Sequence, residues 1–75
     1  MTHELKIQSH YLEQLLSGEK KAEIRYNDRN YQKGDVLEFA KEVYPSLIEV
    51  KFRITNVLWH EGLKEGYVIL SVEKI

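Results

Sequence analysis

The sequence contains no cysteine. Disulfides, thiolate catalysis and cysteine-based zinc sites are therefore excluded, and the fold must hold without covalent staples, as suits a reducing compartment. Long apolar runs are also missing. The longest, such as Tyr67 to Leu70, are far too short to cross a bilayer. No charge sign dominates: 11 Lys and Arg stand against 12 Asp and Glu, a formal net charge of -1. Bulk, non-specific nucleic-acid binding would call for a basic excess, and the total has none. Met1-Thr2-His3-Glu4 shows no basic-then-apolar signal pattern, so a cytoplasmic location is expected. Repeats, linkers and low-complexity tracts are absent. At 75 residues the chain is expected to form one domain, 1–75. A core of this size supplies a margin of only about 3–5 kcal/mol and leaves no room for a dinucleotide-binding domain, a large barrel enzyme or a lid.

What is present is a folded-protein composition, 43% hydrophobic and 31% charged, with clear periodicities. Leu5 and Ile7 alternate with Lys6 and Gln8, which predicts a short first strand. Ser9 is a candidate N-cap. Tyr11, Leu12, Leu15 and Leu16 then share one helical face, and Gly18 supplies the left-handed stop. In Lys21-Ala22-Glu23-Ile24-Arg25, alternation predicts a strand with Ala22 and Ile24 buried and the charged residues outward. Tyr26 to Asp35 reads as a loop rich in turn formers. Strands are predicted over Val36 to Val43, Ile48 to Leu58 and Tyr67 to Val72. Pro45-Ser46 breaks the chain between the first two, and Gly62 and Gly66 bracket the last turn. The final strand carries apolar residues on both faces, which predicts an interior position. The order β-α-β-β-β-β has no alternating βα units, so a mostly antiparallel sheet curled into a small barrel is expected.

The segment Gly18-Glu19-Lys20-Lys21-Ala22-Glu23-Ile24-Arg25 fits the pattern G-x-K-x-x-E-x-R. It resembles the signature of the ASCH domain, the activating-signal-cointegrator homology domain of the PUA-like superfamily. Gln32-Lys33-Gly34-Asp35-Val36-Leu37 resembles the turn that opens the next strand in ASCH-like proteins. Glu4-Leu5-Lys6-Ile7, Asn27-Asp28-Arg29 and Gly62-Leu63-Lys64-Glu65-Gly66-Tyr67-Val68 extend the likeness to small bacterial and phage ASCH-like proteins of unassigned function. The resemblance covers nearly the whole chain. It implies an α+β, mostly β fold: a small PUA-like barrel of about five to six strands with one short N-terminal helix. It also implies a cleft bordered by Lys20, Glu23 and Arg25 that binds RNA or a nucleotide-like ligand. Some small members hydrolyse an acylated cytidine. In those a Thr stands where this chain has Glu23, and no matching hydroxyl can be assigned here.

The residues themselves allow three readings. Glu23 and Arg25, two apart on a strand, share a face. They could form surface ion pairs worth about 0–1 kcal/mol. They could form a recognition pair, with the Arg25 fork on a phosphate or base edge and Glu23 accepting from an exocyclic amine. They could belong to a catalytic set, with a desolvated Lys20 and with Glu23 as general base. Recognition is preferred, because no complete acyl-transfer set is visible. From Lys20 to Lys33 five basic residues face two acidic ones, so this segment is +3 and the remainder -4, a local basic footprint hidden by the total. The loop is either an ordinary solvated turn, with Asp28 bonding its own backbone, or an RNA-facing surface. In the second case Arg29 and Lys33 lie on phosphates and Tyr26 or Tyr31 stacks on a base. Trp59, Tyr11 and Tyr67 are expected to pack, and Tyr44 to lie in a loop. His3, His10 and His60 lack a ligand spacing, so no metal and no cofactor are expected. The expected protein is a monomer that binds RNA or a nucleotide-like ligand through Lys20, Glu23, Arg25, Tyr26, Arg29, Tyr31 and Lys33. The alternatives are an amidohydrolase acting on an acylated nucleoside of the N4-acetylcytidine type, with Lys20 and Glu23 catalytic, and a regulator that binds a protein partner.

Overall fold

The computed structural model of the chain describes residues 1–43 and 46–75, with side chains for 1–40 and 49–75. Tyr44 and the break at Pro45 lie outside the described residues. The element order is β1 (Thr2–Leu5), α1 (Ser9–Ser17), β2 (Ala22–Tyr26), β3 (Val36–Val43), β4 (Ser46–Leu58) and β5 (Tyr67–Lys74). The five strands form a single sheet in the order β1-β3-β4-β5-β2. Three of the pairings are antiparallel and β1 runs parallel to β3. The last strand is interior, as its two-sided pattern predicts. Among the described residues no helix is long and apolar enough to cross a membrane.

The core lies on the concave face. Phe39, Phe52, Leu37, Ile54 and Leu70 are fully buried there, each contributing about 1.5–3 kcal/mol. Phe39 and Phe52 meet edge to face at 6.1 Å. Leu12 and Leu15 of α1 close the core from the open side. Gly18 ends the helix at φ 84°, a left-handed conformation that favours glycine. The N-terminal expectation needs correction: Gln8 is the capping position and makes no side-chain cap bond. Ser9 is already helical, and the carbonyl of Gln8 accepts from the amides of Tyr11 and Leu12. The first strand also sits earlier than predicted. His3 and Leu5 point inward, and Ile7 follows the strand's end, packing against the core from the connector.

The largest reversal is in β2. Alternation placed Ala22 and Ile24 inside, but Glu23 is only 8% exposed and Ile24 is 56% exposed. The register explains it. Glu23 and Arg25 stand opposite Leu70 and Val68, whose side chains are buried on the concave face, while Ile24 stands opposite Ile69. β2 is an edge strand whose inner face takes polar side chains by pairing their heads: Glu23 meets Lys20 Nζ at 3.4 Å, and Arg25 Nη2 donates to the carbonyl of Lys6. A bulge between Ile54 and Asn56 resets β4 in the same way. Val50, Phe52 and Ile54 face inward before it. After it Val57 packs on the core and Leu58 faces out. Trp59, expected to pack, is 62% exposed, and Tyr11 is also exposed. Trp59 lies just past the end of β4, and Tyr11 stands in the first turn of α1 with the Lys20 ammonium over its ring. Tyr67 is half-buried.

Candidate functional site

The two edge strands, β1 and β2, approach each other where the curled sheet fails to close. Arg25 bridges this seam: its Nη2 donates to the carbonyl of Lys6 at 2.9 Å, and its guanidinium carbon lies 5.7 Å from the centre of the Phe39 ring, a cation–π distance. Its Nε is buried and has no hydrogen-bond partner. A buried donor left unmatched costs about 1–3 kcal/mol. Around Arg25 lies an open hollow of about 390 Å³. One wall is Glu4, Leu5 and Lys6, from the end of β1 and the connector after it. The other is Tyr26 with Asp28, Arg29 and Tyr31 of the following loop. Among the described residues neither Lys6, Arg25 nor Arg29 has a carboxylate within salt-bridge distance.

The loop that carries this wall is locally specified. Asn27 Oδ1 accepts from the Tyr31 amide at 2.9 Å, so the side-chain turn bond that the solvated-turn alternative gave to Asp28 is made by Asn27. Asn30 adopts φ 50°. The loop then closes on Asp35, whose Oδ2 accepts from His3 Nε2 at 2.8 Å and from the Gln32 amide at 3.1 Å, while Oδ1 accepts from the N-terminal amine at 3.1 Å. The His3 bond, aided by the Gln32 amide and the N-terminal amine, holds the Asp35 carboxyl at about 2. Tyr31 packs edge-on against His3 at 4.9 Å. It was expected to offer a stacking face but is 2% exposed, so it serves as floor of the hollow and part of the core. Burial pushes its phenol upward, with Asp28 adding to the rise and the Arg25 and Arg29 cations opposing it.

Lys20 and Glu23 fall outside this hollow. Lys20 Nζ lies 3.4 Å from both Glu23 oxygens and 4.6 Å from the centre of the Tyr11 ring. They line a neighbouring, more apolar hollow of about 480 Å³ with Tyr11, Ala22, Ile24 and Ile69. The single cleft expected from the motif is thus divided: Arg25, Tyr26, Arg29 and Tyr31 gather at the seam, and Lys20 pairs with Glu23 beside it. Lys33 is exposed and lines neither. Sequence reasoning missed Lys6 and Glu4 as wall residues, and His3 as the partner of Asp35. Only the parallel β1–β3 register, Thr2↔Val36 and His3↔Leu37, brings those segments together. Among the described residues no group of three or more His, Asp or Glu is placed to hold a metal ion.

A family model described as a domain of unknown function, DUF3850, matches residues 2–72. The chain is 39% identical over 71 residues to an uncharacterized 12.9 kDa protein in the GpA 3' region of Escherichia phage P2, covering 91% of this chain and 64% of that relative. The chain therefore spans less than two thirds of the relative's length. The crystal structure of hypothetical protein PH0355 is similar over 100% of both chains, with a TM-score of 0.75 at 20% identity, a likeness of fold.

Proposed function

The chain belongs to the DUF3850 family, and from that premise we propose that it is an ASCH-type, PUA-like domain that binds a nucleotide-like ligand or unpaired RNA at the seam between β1 and β2. The observation that carries this reading is the state of Arg25. Its guanidinium spans the seam with a buried, unmatched Nε, and Arg29 and Lys6 stand on the same hollow without carboxylate partners. A guanidinium meets a phosphate or carboxylate oxygen pair through two N–H groups at once. A small turn of Arg25 toward the hollow gives Nε such an acceptor. Glu4 and Asp28 on the same walls suit the amino groups of a base, to which carboxylates are acceptors. The hollow's size falls within the range of roughly 300–1,000 Å³ usual for small-ligand sites.

The test is a titration of single-stranded RNA and mononucleotides at several salt concentrations. Binding should weaken as salt rises, since phosphate contacts release counterions. Arg25→Ala should lose at least tenfold in affinity while its thermal unfolding stays cooperative. A variant that binds normally, or one that unfolds, overturns the assignment. One observation favours a second reading: the Lys20–Glu23 pair at 3.4 Å in its own hollow. There Glu23 would act as general base on water against an acylated nucleoside. Release of acid from N4-acetylcytidine, lost in Lys20→Ala and Glu23→Gln, would establish it.

A further inference from the structure

Tyr26 is 55% exposed at the mouth of the seam hollow, and its ring is flanked by two neighbours. It meets the Tyr67 ring edge to face at 5.5 Å. Beneath it lies Gly66, where an added Cβ would stand 2.5 Å from Tyr26 Cε1, 3.1 Å from Cδ1 and 3.4 Å from Cζ. Gly66 also adopts φ +84° and accepts a hydrogen bond from the Asn27 amide at 2.8 Å. The Gly66 backbone and the Tyr67 ring thus seat the Tyr26 ring, leaving much of it open to solvent. An exposed aromatic normally swings between rotamers. One seated in this way is a pre-organised surface whose ordering cost is already met by the fold.

Resting on the seam-binding reading above, we propose that Tyr26 is a fixed stacking platform for one unpaired nucleobase, and that Gly66 and Tyr67 are its positioning residues. The ligand is a base that carries a phosphate. The base lies on Tyr26, and the phosphate reaches the Arg25–Arg29 side of the same hollow. Stacking on an aromatic tolerates any base, since each has a π face. The platform therefore confers affinity for a base, and discrimination among bases falls to Glu4 and Asp28. Such a nucleotide can be free or part of a strand, and both present the same chemistry.

The experiment measures affinity for a labelled single-stranded RNA hexamer, for each of the four ribonucleoside monophosphates and for ribose 5-phosphate, using wild type, Tyr26→Phe, Tyr26→Leu, Gly66→Ala and the Gly66→Ala/Tyr26→Leu double variant. Tyr26→Leu should weaken base-bearing ligands about tenfold, leave ribose 5-phosphate unchanged, and be rescued in Tyr26→Phe. Gly66→Ala should weaken the same ligands in the wild-type background and have no further effect when Tyr26 is already Leu, a non-additivity expected of residues that act through one group. Tyr67→Leu, which carries no backbone strain, should behave as Gly66→Ala does and covers the case in which that variant fails to fold. Mononucleotide affinities equal to that of the hexamer identify a free nucleotide as the ligand; a hexamer bound far more tightly identifies a strand. Equal losses for ribose 5-phosphate and nucleotides, or no loss in Tyr26→Leu while Arg25→Ala abolishes binding, overturn the platform and leave the seam reading intact. No binding of any ligand by the wild type overturns both.

Discussion

Asp35 offers the sharpest quantitative test of the architecture beneath the seam. Its two oxygens accept from His3, the Gln32 amide and the N-terminal amine at 2.8 Å, 3.1 Å and 3.1 Å, joining β1 to the loop that carries Arg29 and Tyr31. These donors lower its carboxyl from 3.8 to about 2. Each tenfold change in acidity corresponds to about 1.4 kcal/mol, so the ionised carboxylate stabilises the fold by roughly 2 kcal/mol. Because the folded value is depressed, that contribution is complete above 3.8 and is lost as pH falls toward 2. Asp35→Asn removes the charge and turns an amide donor toward donors. In a domain of this size 1 kcal/mol moves Tm by about 4–8 °C, so the variant should melt roughly 10–15 °C below wild type at pH 7. The assay is circular-dichroism melting of both proteins from pH 7 down to pH 2. The gap between them should hold constant above pH 5 and then close, because the wild type loses at low pH what the variant never had. A gap under about 2 °C at pH 7, or one that persists unchanged at pH 2, would refute the reasoning.

Other outcomes follow from placement. Ile24→Thr should leave stability within about 0.5 kcal/mol of wild type by denaturant unfolding, since the side chain faces solvent; a loss above 2 kcal/mol would mean that Ile24 is a core residue. Tyr31→Ala should lose the cooperative urea transition, its cost of about 3–5 kcal/mol matching the domain's whole margin, whereas Tyr26→Ala should keep the transition and cost under about 1 kcal/mol, because one is buried and the other half exposed. Trp59 should be quenched by iodide in the native protein nearly as well as in the unfolded chain, its exposure being 62%. A protected indole would contradict its position. Raising salt should weaken RNA binding by wild type more steeply than by Arg29→Ala, since one phosphate contact fewer lowers the salt slope by about one.

Much of the fold was legible in the residues, and the reasons are local. The α1 stripe of Leu12 and Leu15, the glycine at its end, the turn residues of the Asn27–Gly34 loop and the two-sided apolar pattern of β5 each express a propensity that needs no distant partner. The motif's position, crossing the helix end into β2, was legible for the same reason. The division of its residues between two hollows was not. Lys20 and Arg25 are five positions apart in the chain, but Arg25 lies on edge strand β2 and reaches Lys6, while Lys20 precedes the strand and lies beside Tyr11.

The sequence by itself therefore determined the element types, their order and the basic segment that borders the candidate site. The tertiary structure decided which face of β2 is inside. Alternation states only that a strand has two faces, and burial goes to whichever face the register sets against the core. Here pairing with β5 sets Glu23 and Arg25 against Leu70 and Val68, and the parallel β1–β3 pairing carries Lys6 to the other side of the gap. The seam, with its guanidinium bridge, arises from two edge strands separated by the whole width of the sheet and brought together by its curl. No local pattern encodes that distance.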